Sequence, residues 1–474
     1  MTSGCVAAAD RRGQQSTASP APPPFHVKRL ARSTRIRRSA HLPRRHRREC
    51  YCRRPCSREA EPVTFLSPAG QAEASDIDGR AAWIRLGIAI ALGTIGGVGM
   101  WSVVVVLPAV QADFGVARGD ASLPYTFAMI GLAIGGVALG RLTDRFGIML
   151  PAIGGGLMLA LGYVIAGLAP NIWVFAIAHG LFIGMLGSAA VFGPLMAHVS
   201  LWFNKRRGIA VAICACGNYI AGAIWPQVVR VLLDAYGWRV THLIIAVIVV
   251  VTMTPLALML RRKPPAEPAA VPGAPISRHG GSLGLSPNAL MVLLAVAGVA
   301  CCVAMAMPQV HIVAYCADLG YGVARGSEML SLMLGFGIIS RVGTGFIADR
   351  IGGLAALLLS SALQGVALLL FLTSDALTPL YIFSILFGLF QGGIVPCYAI
   401  VVREYFSPGE AATRVGVVLM STLLGMALGG WLSGVIYDLT RSYQAAFMNG
   451  IAWNLVNLTV MGWLLMRRER LARA

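Results

Sequence analysis

Charge is scarce in this chain: Asp, Glu, Lys and Arg make up 12% of 474 residues, about half of what a soluble domain carries. Acid is scarcer than base, 20 residues against 39, and lysine is nearly missing, with only Lys28, Lys205 and Lys263. No Asp or Glu stands centrally in any long apolar run; Asp318 and Glu328 fall near run ends. That argues against proton coupling through a buried carboxylate. No GxxxxGK[ST] loop occurs, which disfavours an ATP-driven pump. Neither HExxH nor a clustered nucleophile and base is found, which disfavours a membrane enzyme. The N-terminal region has no apolar core of a signal peptide, so a cleaved secretory signal is not expected.

What the chain has is apolar length. Hydrophobic residues reach 57%, mean hydropathy is +0.71 and glycine numbers 55, as expected where helices pack closely in lipid. Runs of about twenty apolar residues suit membrane-spanning helices. Twelve are predicted, at roughly 86–111, 121–140, 148–168, 172–200, 208–233 and 240–260, then 287–316, 327–347, 353–373, 378–402, 412–436 and 444–466. The fold class is therefore an all-α polytopic membrane protein. It divides into a basic tail over 1–80, a first six-helix bundle over 81–260, a linker over 261–286 and a second bundle over 287–474. The linker, rich in Pro, Ala, Gly and Ser, suits a flexible connection.

The halves repeat. GRLTDRFG at Gly140–Gly147 returns 205 positions later as GFIADRIG at Gly345–Gly352, preserving Gly140, Asp144, Arg145 and Gly147 as Gly345, Asp349, Arg350 and Gly352. Asp234 is echoed 204 positions on by Asp438. Two landmarks at nearly one spacing indicate a duplicated membrane unit. Loop charges set an orientation: with the N-terminus cytoplasmic, seventeen Lys and Arg fall inside and only Arg118, Arg239, Arg325 and Arg441 outside. Both termini and both DR loops are then expected in the cytoplasm, and a plasma (inner) membrane suits the reading. GxxxGGxxxG stripes run through the second span (Gly131, Gly135, Gly136, Gly140) and the eleventh (Gly425, Gly429, Gly430, Gly434). Such stripes allow close helix approach, here expected across the seam between halves.

Residues 1–80 hold 16 basic and 7 acidic residues, with arginines broken by Pro, Ser and Ala. This reads as a disordered cytoplasmic extension, with an organellar transit peptide or a mis-assigned start as alternatives. Nucleic-acid binding is not expected, since no folded basic surface with aromatic platforms is indicated. Cys50, Cys52 and Cys56 near His41 and His46 match no standard zinc spacing, so no metal and no cofactor are expected. Cys214, Cys216, Cys301, Cys302, Cys316 and Cys397 read as small packing residues.

The DR loops resemble the signature loop of the major facilitator superfamily in both halves. WFNKRRGIAVAI after the fourth span, PQVHIVAYCADLG in the seventh, SRVGTGFIADRIG in the eighth and GGWLSGVIYDLTRSYQAAF at the eleventh resemble its monocarboxylate and oxalate–formate porter branch. The resemblance runs from about Ile84 to the C-terminus. It implies two six-helix bundles around a central cavity that opens alternately to each side. It also implies that Asp144 meets the adjacent half near a helix N-terminus, where a carboxylate is favoured, and that Arg145 helps lock the state open to the outside. The chain departs from the pattern in placing Ile148 and Met149 where two basic residues are common. It also has Gly337 where many monocarboxylate porters carry an aspartate, so a proton-linked Asp/Arg pair is absent. No lysine stands on the eleventh span, so dicarboxylate specificity is not supported.

Arg341 is the leading substrate candidate. It lies eight residues, or ~12 Å of helix, before Asp349. An arginine within a span usually faces a cavity or an ion partner, and its planar fork matches a carboxylate. Snorkelling to the interface is its bland alternative. His311, with Gln309 and Tyr315 close by, is a second candidate, either a carboxylate ligand or hydrogen-bonded packing. Trp101, Asn218, Tyr219, Gln391 and Tyr398 interrupt spans expected to border the cavity; each individually is better explained by packing than by substrate contact. Arg230 and Asp234, one turn apart, read as a local ion pair; His179 and His198 are weaker candidates. The reading is a secondary transporter of a small organic anion, a monocarboxylate, with a coupling proton or counter-anion and the bilayer as partners. Efflux of amphipathic drugs or metabolites, and a transporter-like sensor, are its alternatives.

Overall fold

In a computed structural model, residues 77–262 and 283–473 are described. The expectations for the tail, its Cys/His group and most of the linker lie outside them. Ten helices are long and apolar enough to cross a membrane. One of them, Gly208–Leu258, is 51 residues long and turns at Gly237 (φ 74°, ψ 167°), making two spans. Tyr443–Arg473, of 31 residues, is long enough but carries Asn449, Asn454 and Asn457, which lower its hydropathy. The result is twelve spans. Spans 1 to 4 are Arg80–Phe114, Arg118–Phe146, Met149–Gly167 and Ile172–Ser200; spans 5 and 6 are 208–236 and 238–258. Spans 7 to 10 are Pro287–Asp318, Gly322–Ile351, Gly353–Leu370 and Leu377–Tyr405. Spans 11 and 12 are Pro408–Thr440 and Tyr443–Arg473. No strand occurs among the described residues.

The turns expose the repeat at the level of backbone angles. Gly147 after span 2 (φ 77°, ψ 171°), Gly237 after span 5 and Gly352 after span 8 (φ 85°, ψ 157°) share one conformation. Nothing lies within 4 Å of a Cβ built at Gly147 or Gly237. The backbone angle, not crowding, therefore calls for glycine there.

Close packing explains the glycine stripes, though not wholly as expected. In span 2, a Cβ on Gly131 would stand 2.1 Å from the Gly180 carbonyl oxygen, and one on Gly135 2.1 Å from that of Met185. Both contacts are with span 4 of the same half, where Ala178–Gly187 is π-helical, a local widening that often marks functional regions. Gly136 and Gly140 face open space. In span 11, Gly425 and Gly429 lie against Val299 and Val303 of span 7, again within one half. Only Gly430, against Tyr125, and Gly434, against Arg118 and Gly119, meet the other half. Each stripe chiefly builds its own bundle, and the end of the span 11 stripe serves the seam.

Before span 1, the Asp78 carboxylate accepts the backbone N–H groups of Lys205 (3.0 Å) and Asn204 (3.2 Å). The Lys205 hydrogen bond chiefly holds its pKa below the usual aspartate value. This ties the chain entering span 1 to the loop between spans 4 and 5.

Candidate substrate site and the latch between the halves

The halves meet differently at their two ends. At the end away from the DR loops, Asp438 of span 11 accepts the backbone N–H of Arg118 (2.9 Å) and of Gly119 (2.6 Å) at the start of span 2. A carboxylate here satisfies donors that a helix N-terminus leaves unpaired, and it faces the favourable end of the helix dipole. The Arg118 guanidinium, nearly buried, forks onto Asp318 of span 7 at 3.0 and 3.2 Å. It also donates to Gln111 and to the Tyr443 hydroxyl, and lies 4.9 Å over the Tyr437 ring. Tyr443 donates to Asp318 in turn, at 2.8 Å. This cluster closes the far end.

The DR end is parted. Asp144, Arg145, Asp349 and Arg350 are exposed, and none makes a hydrogen bond or ion pair among the described residues. Cβ atoms built on Gly140 or Gly345 would meet nothing within 4 Å. The Gly352 amide donates to Ala348 at 2.8 Å and the Gly147 amide to Thr143 at 2.8 Å, so each loop is closed on itself. In this conformation the DR-loop side chains therefore do not join the halves.

Between the two ends, spans 5 and 8 hold the halves together through Gln227 and Ser331 (3.2 Å) and through the fit of Gly222 against Leu334. About two turns beyond Leu334 towards the DR end lies Arg341, half-buried. Its Nη1 donates to the Ala215 carbonyl of the first half at 2.9 Å, and its Nε to the Gly392 carbonyl of the second at 3.3 Å. Its guanidinium lies 4.1 Å over the Tyr219 ring, a cation–π contact. The Tyr219 hydroxyl donates to Gln391 Oε1 at 3.3 Å, while the buried Gln391 Nε2 has no partner among the described residues. Arg341, Tyr219 and Gln391 thus form one cluster spanning both halves. Its polar donors suit an acceptor-only group such as a carboxylate.

The other candidates separate from it. Trp101 Nε1 donates to the Asn218 carbonyl at 3.1 Å. Asn218 lines a small cleft inside the first half, with Gly97, Met100, Ser188 and Phe192. His311 is buried with Nε2 2.7 Å from the Gly430 carbonyl, while Nδ1 has no partner among the described residues. Gln309, also buried, makes no side-chain hydrogen bond among them. Tyr315 donates to Asp375 and packs 4.7 Å from Tyr443, joining the far-end cluster. Tyr398 donates to Asn457 at 3.0 Å, and Asn457 to Ser361 at 2.8 Å, which binds spans 9, 10 and 12. Arg230 and Asp234 form the ion pair their spacing suggested, at 3.3 Å. His179 Nδ1 donates to the Phe175 carbonyl (2.9 Å), and His198 packs on Trp202. No group of three or more His, Cys, Asp or Glu occurs among the described residues that would hold a metal.

The sequence profile of the Major Facilitator Superfamily matches residues 89–377 and 329–474. The chain belongs to the major facilitator superfamily. It is therefore a multi-pass membrane transporter, not an enzyme. It is 29% identical over 344 residues to monocarboxylate transporter 13 of Bos taurus, covering 70% of this chain and 78% of that one. It is 26% identical over 420 residues to monocarboxylate transporter 11 of Homo sapiens, covering 85% and 86%. The Agnestins efflux protein AgnL12 of Paecilomyces divaricatus is 26% identical over 304 residues, covering 63% and 67%. These similarities place the chain in the monocarboxylate-like branch of the superfamily. Among solved structures, a bacterial homolog of the human lysosomal transporter Spinster, inward-facing and unoccupied, superposes with a TM-score of 0.66 at 13% identity. That match covers 83% of this chain and 98% of the other.

The far-end latch escaped sequence reasoning. Arg118 was legible only as one of four outer basic residues, because its partners Asp318 and Asp438 lie 200 and 320 positions away. The available signal was the repeat itself, which singles out Asp438.

Proposed function

We propose that this superfamily member is a secondary active transporter that moves a small monocarboxylate by alternating access, with Arg341 holding the carboxylate. The charge bias of the loops supports cytoplasmic termini and DR loops. One observation carries the substrate class: Arg341 is a fixed cation within a span, and among the described residues its hydrogen bonds go to two carbonyl groups. A guanidinium so placed can exchange those dipoles for an anion with two parallel charge-assisted bonds. The mammalian relatives, monocarboxylate transporters 13 and 11, agree with this reading. Export of an amphipathic metabolite on the same scaffold is the second reading, supported by the fungal efflux relative.

The test is substrate binding to purified, folded Arg341→Lys and Arg341→Gln. Lysine keeps the charge but loses the planar two-point geometry. Each charge-assisted bond is worth roughly 1.5–3 kcal/mol, so losing one should weaken apparent affinity about ten- to a hundredfold. Glutamine should weaken it further, since no cation remains. Parental binding by Arg341→Lys would remove Arg341 from the site and favour the efflux reading.

A further inference from the structure

We propose that Asp78, just ahead of span 1, is a positioning residue for the Arg341 site: it anchors the short helix whose last carbonyl, that of Ala215, occupies Arg341 Nη1. The proposal rests on the monocarboxylate reading of that site. Span 5 is broken near its DR end. Its first stretch, Arg207–Ala215, stops at Cys216, and a second helix starts at Gly217. The Cys216 amide is shared between the Ala212 and Ile213 carbonyls, at 3.2 and 3.1 Å, a tightened last turn. Carbonyls around the break accept side chains. Gly217 takes the Thr94 hydroxyl at 3.2 Å and Asn218 the Trp101 indole at 3.1 Å, both from span 1. Ala215 takes Arg341 Nη1 of the second half at 2.9 Å.

The first stretch has 9 residues, too few for a helix to persist without tertiary support. Over 208–215 only Ala210 and Cys214 are buried, so its two ends do much of the fixing. At its start, the Asp78 carboxylate accepts the Asn204 and Lys205 N–H groups at 3.2 and 3.0 Å, and the Asp78 amide donates to the Trp202 carbonyl at 3.1 Å. Asp78 holds φ at 58°, a left-handed angle that an aspartate adopts at a cost, which these three bonds offset. Rings secure the same loop to span 1: Trp83 meets Phe203 edge-on at 5.2 Å, and Arg85 lies 4.0 Å over Trp202. The repeat does not copy the brace. At the position 205 residues on, Leu283 gives its carbonyl to Arg467 of span 12 instead.

One charged group therefore holds each end of Arg207–Ala215, with ~14 Å of helix between them. The consequence for binding has a definite sign. A carboxylate on the Nη1–Nη2 edge of Arg341 competes with the Ala215 carbonyl for Nη1. While Asp78 fixes the start of the helix, Ala215 stays in register with the guanidinium and keeps that competition in force. Without the brace the helix loosens, Ala215 spends less time on Nη1, and the anion meets a freer fork. Removing Asp78 should thus tighten substrate binding, the opposite of what damage to a substrate ligand or to the general fold would do.

The purified full chain tests this, comparing the parent with Asp78→Ala, Asp78→Asn and Arg341→Lys. The readouts are hydrogen–deuterium exchange and equilibrium binding of labelled pyruvate and labelled benzoate. Asp78→Ala should speed amide exchange over 204–215 at least tenfold, leave span 7 unchanged, and lower Kd two- to tenfold. Asp78→Asn keeps an acceptor oxygen but no charge, so it should fall between Asp78→Ala and the parent; it carries the test alone if the alanine variant does not fold. Unchanged exchange over 207–215, or faster exchange with Kd unchanged or raised, would overturn the positioning role. The Arg341→Lys arm keeps the two failures apart. If it binds ten- to a hundredfold more weakly while Asp78→Ala leaves Kd unchanged, only the role of Asp78 falls. Parental binding by Arg341→Lys, or no binding of either probe to the parent, would remove both.

Discussion

Removing the Asp438 carboxylate should open the far end. In Asp438→Ala, the Arg118 and Gly119 N–H groups lose acceptors now at 2.9 and 2.6 Å. Two charge-assisted hydrogen bonds have a gross worth of roughly 3–6 kcal/mol. Asp438 is only half-buried, however, and in the open state both partners recover water. The fairer comparison is a helix N-cap, whose loss costs about 0.5–2 kcal/mol. Taking ~1–2 kcal/mol, the ratio of far-end-open to far-end-closed molecules should rise about five- to thirtyfold. The Arg118–Asp318 fork remains, so the closed state should weaken rather than vanish.

Spin labels at Ala112→Cys and Leu439→Cys, both exposed on opposite halves of the far end, would report the opening as a distance distribution. The ten native cysteines would first be replaced. The parent should show one short distance, and Asp438→Ala a second, longer population. Asp234→Ala supplies the internal control, since Asp234 occupies the equivalent place in the repeat but pairs only with Arg230 at 3.3 Å on an exposed surface. Identical distributions for parent, Asp438→Ala and Asp234→Ala would refute the latch.

Three further outcomes are expected. Asp144→Asn should slow transport far more than Asp120→Asn at matched expression, because Asp144 belongs to the repeated DR loop and Asp120 does not; equal rates would refute a gating role for Asp144. In intact cells, an impermeant thiol reagent should label Leu439→Cys but not Asn204→Cys, and the reverse pattern would invert the topology. Gly237→Ala should lower stability by about 1–2 kcal/mol, the cost of a left-handed φ for an alanine; an unchanged melting temperature would show that the turn relaxes.

How far the sequence carried the fold follows from the range of the interactions involved. Helix length and the DR repeat are local patterns, and each reappears in the structure as spans or matching turns. Gly237 was also there to be read, yet the shared φ and ψ of Gly147, Gly237 and Gly352 emerge only in three dimensions. The site was partly legible: an arginine inside a span is conspicuous, and its meeting with Tyr219 and Gln391 gives the candidate cluster its shape. Side-chain partners were not legible. Tyr315 stands near His311 in sequence, but its hydroxyl is bound by Asp375, 60 positions away, and His311 by a carbonyl 119 positions away. The glycine stripes misled for a related reason, since GxxxG specifies close approach without specifying the partner.

In the proposed mechanism, the placement of Arg341 links occupancy to movement. Its Nη1 bond reaches the first half and its Nε bond the second, so in this conformation the Arg341 side chain is one of the ties between them. A carboxylate that takes the Nη1–Nη2 edge of the guanidinium competes with Ala215 for Nη1. Displacing Ala215 removes a cross-half bond near the DR end and leaves the Gln227–Ser331 contact and the Gly222–Leu334 fit higher up the same seam. A ligand shifts a conformational equilibrium only by its differential affinity for the two states. Here that difference has a physical source: the anion binds best where Arg341 is not also required to join the halves. The far-end latch opposes the same movement from the other side, so substrate must overcome Asp438 and Asp318 together before the cavity can change direction. A variant that loosens the latch should therefore need less binding energy to turn over, and Asp438→Ala should transport weakly held anions better, relative to the parent, than tightly held ones.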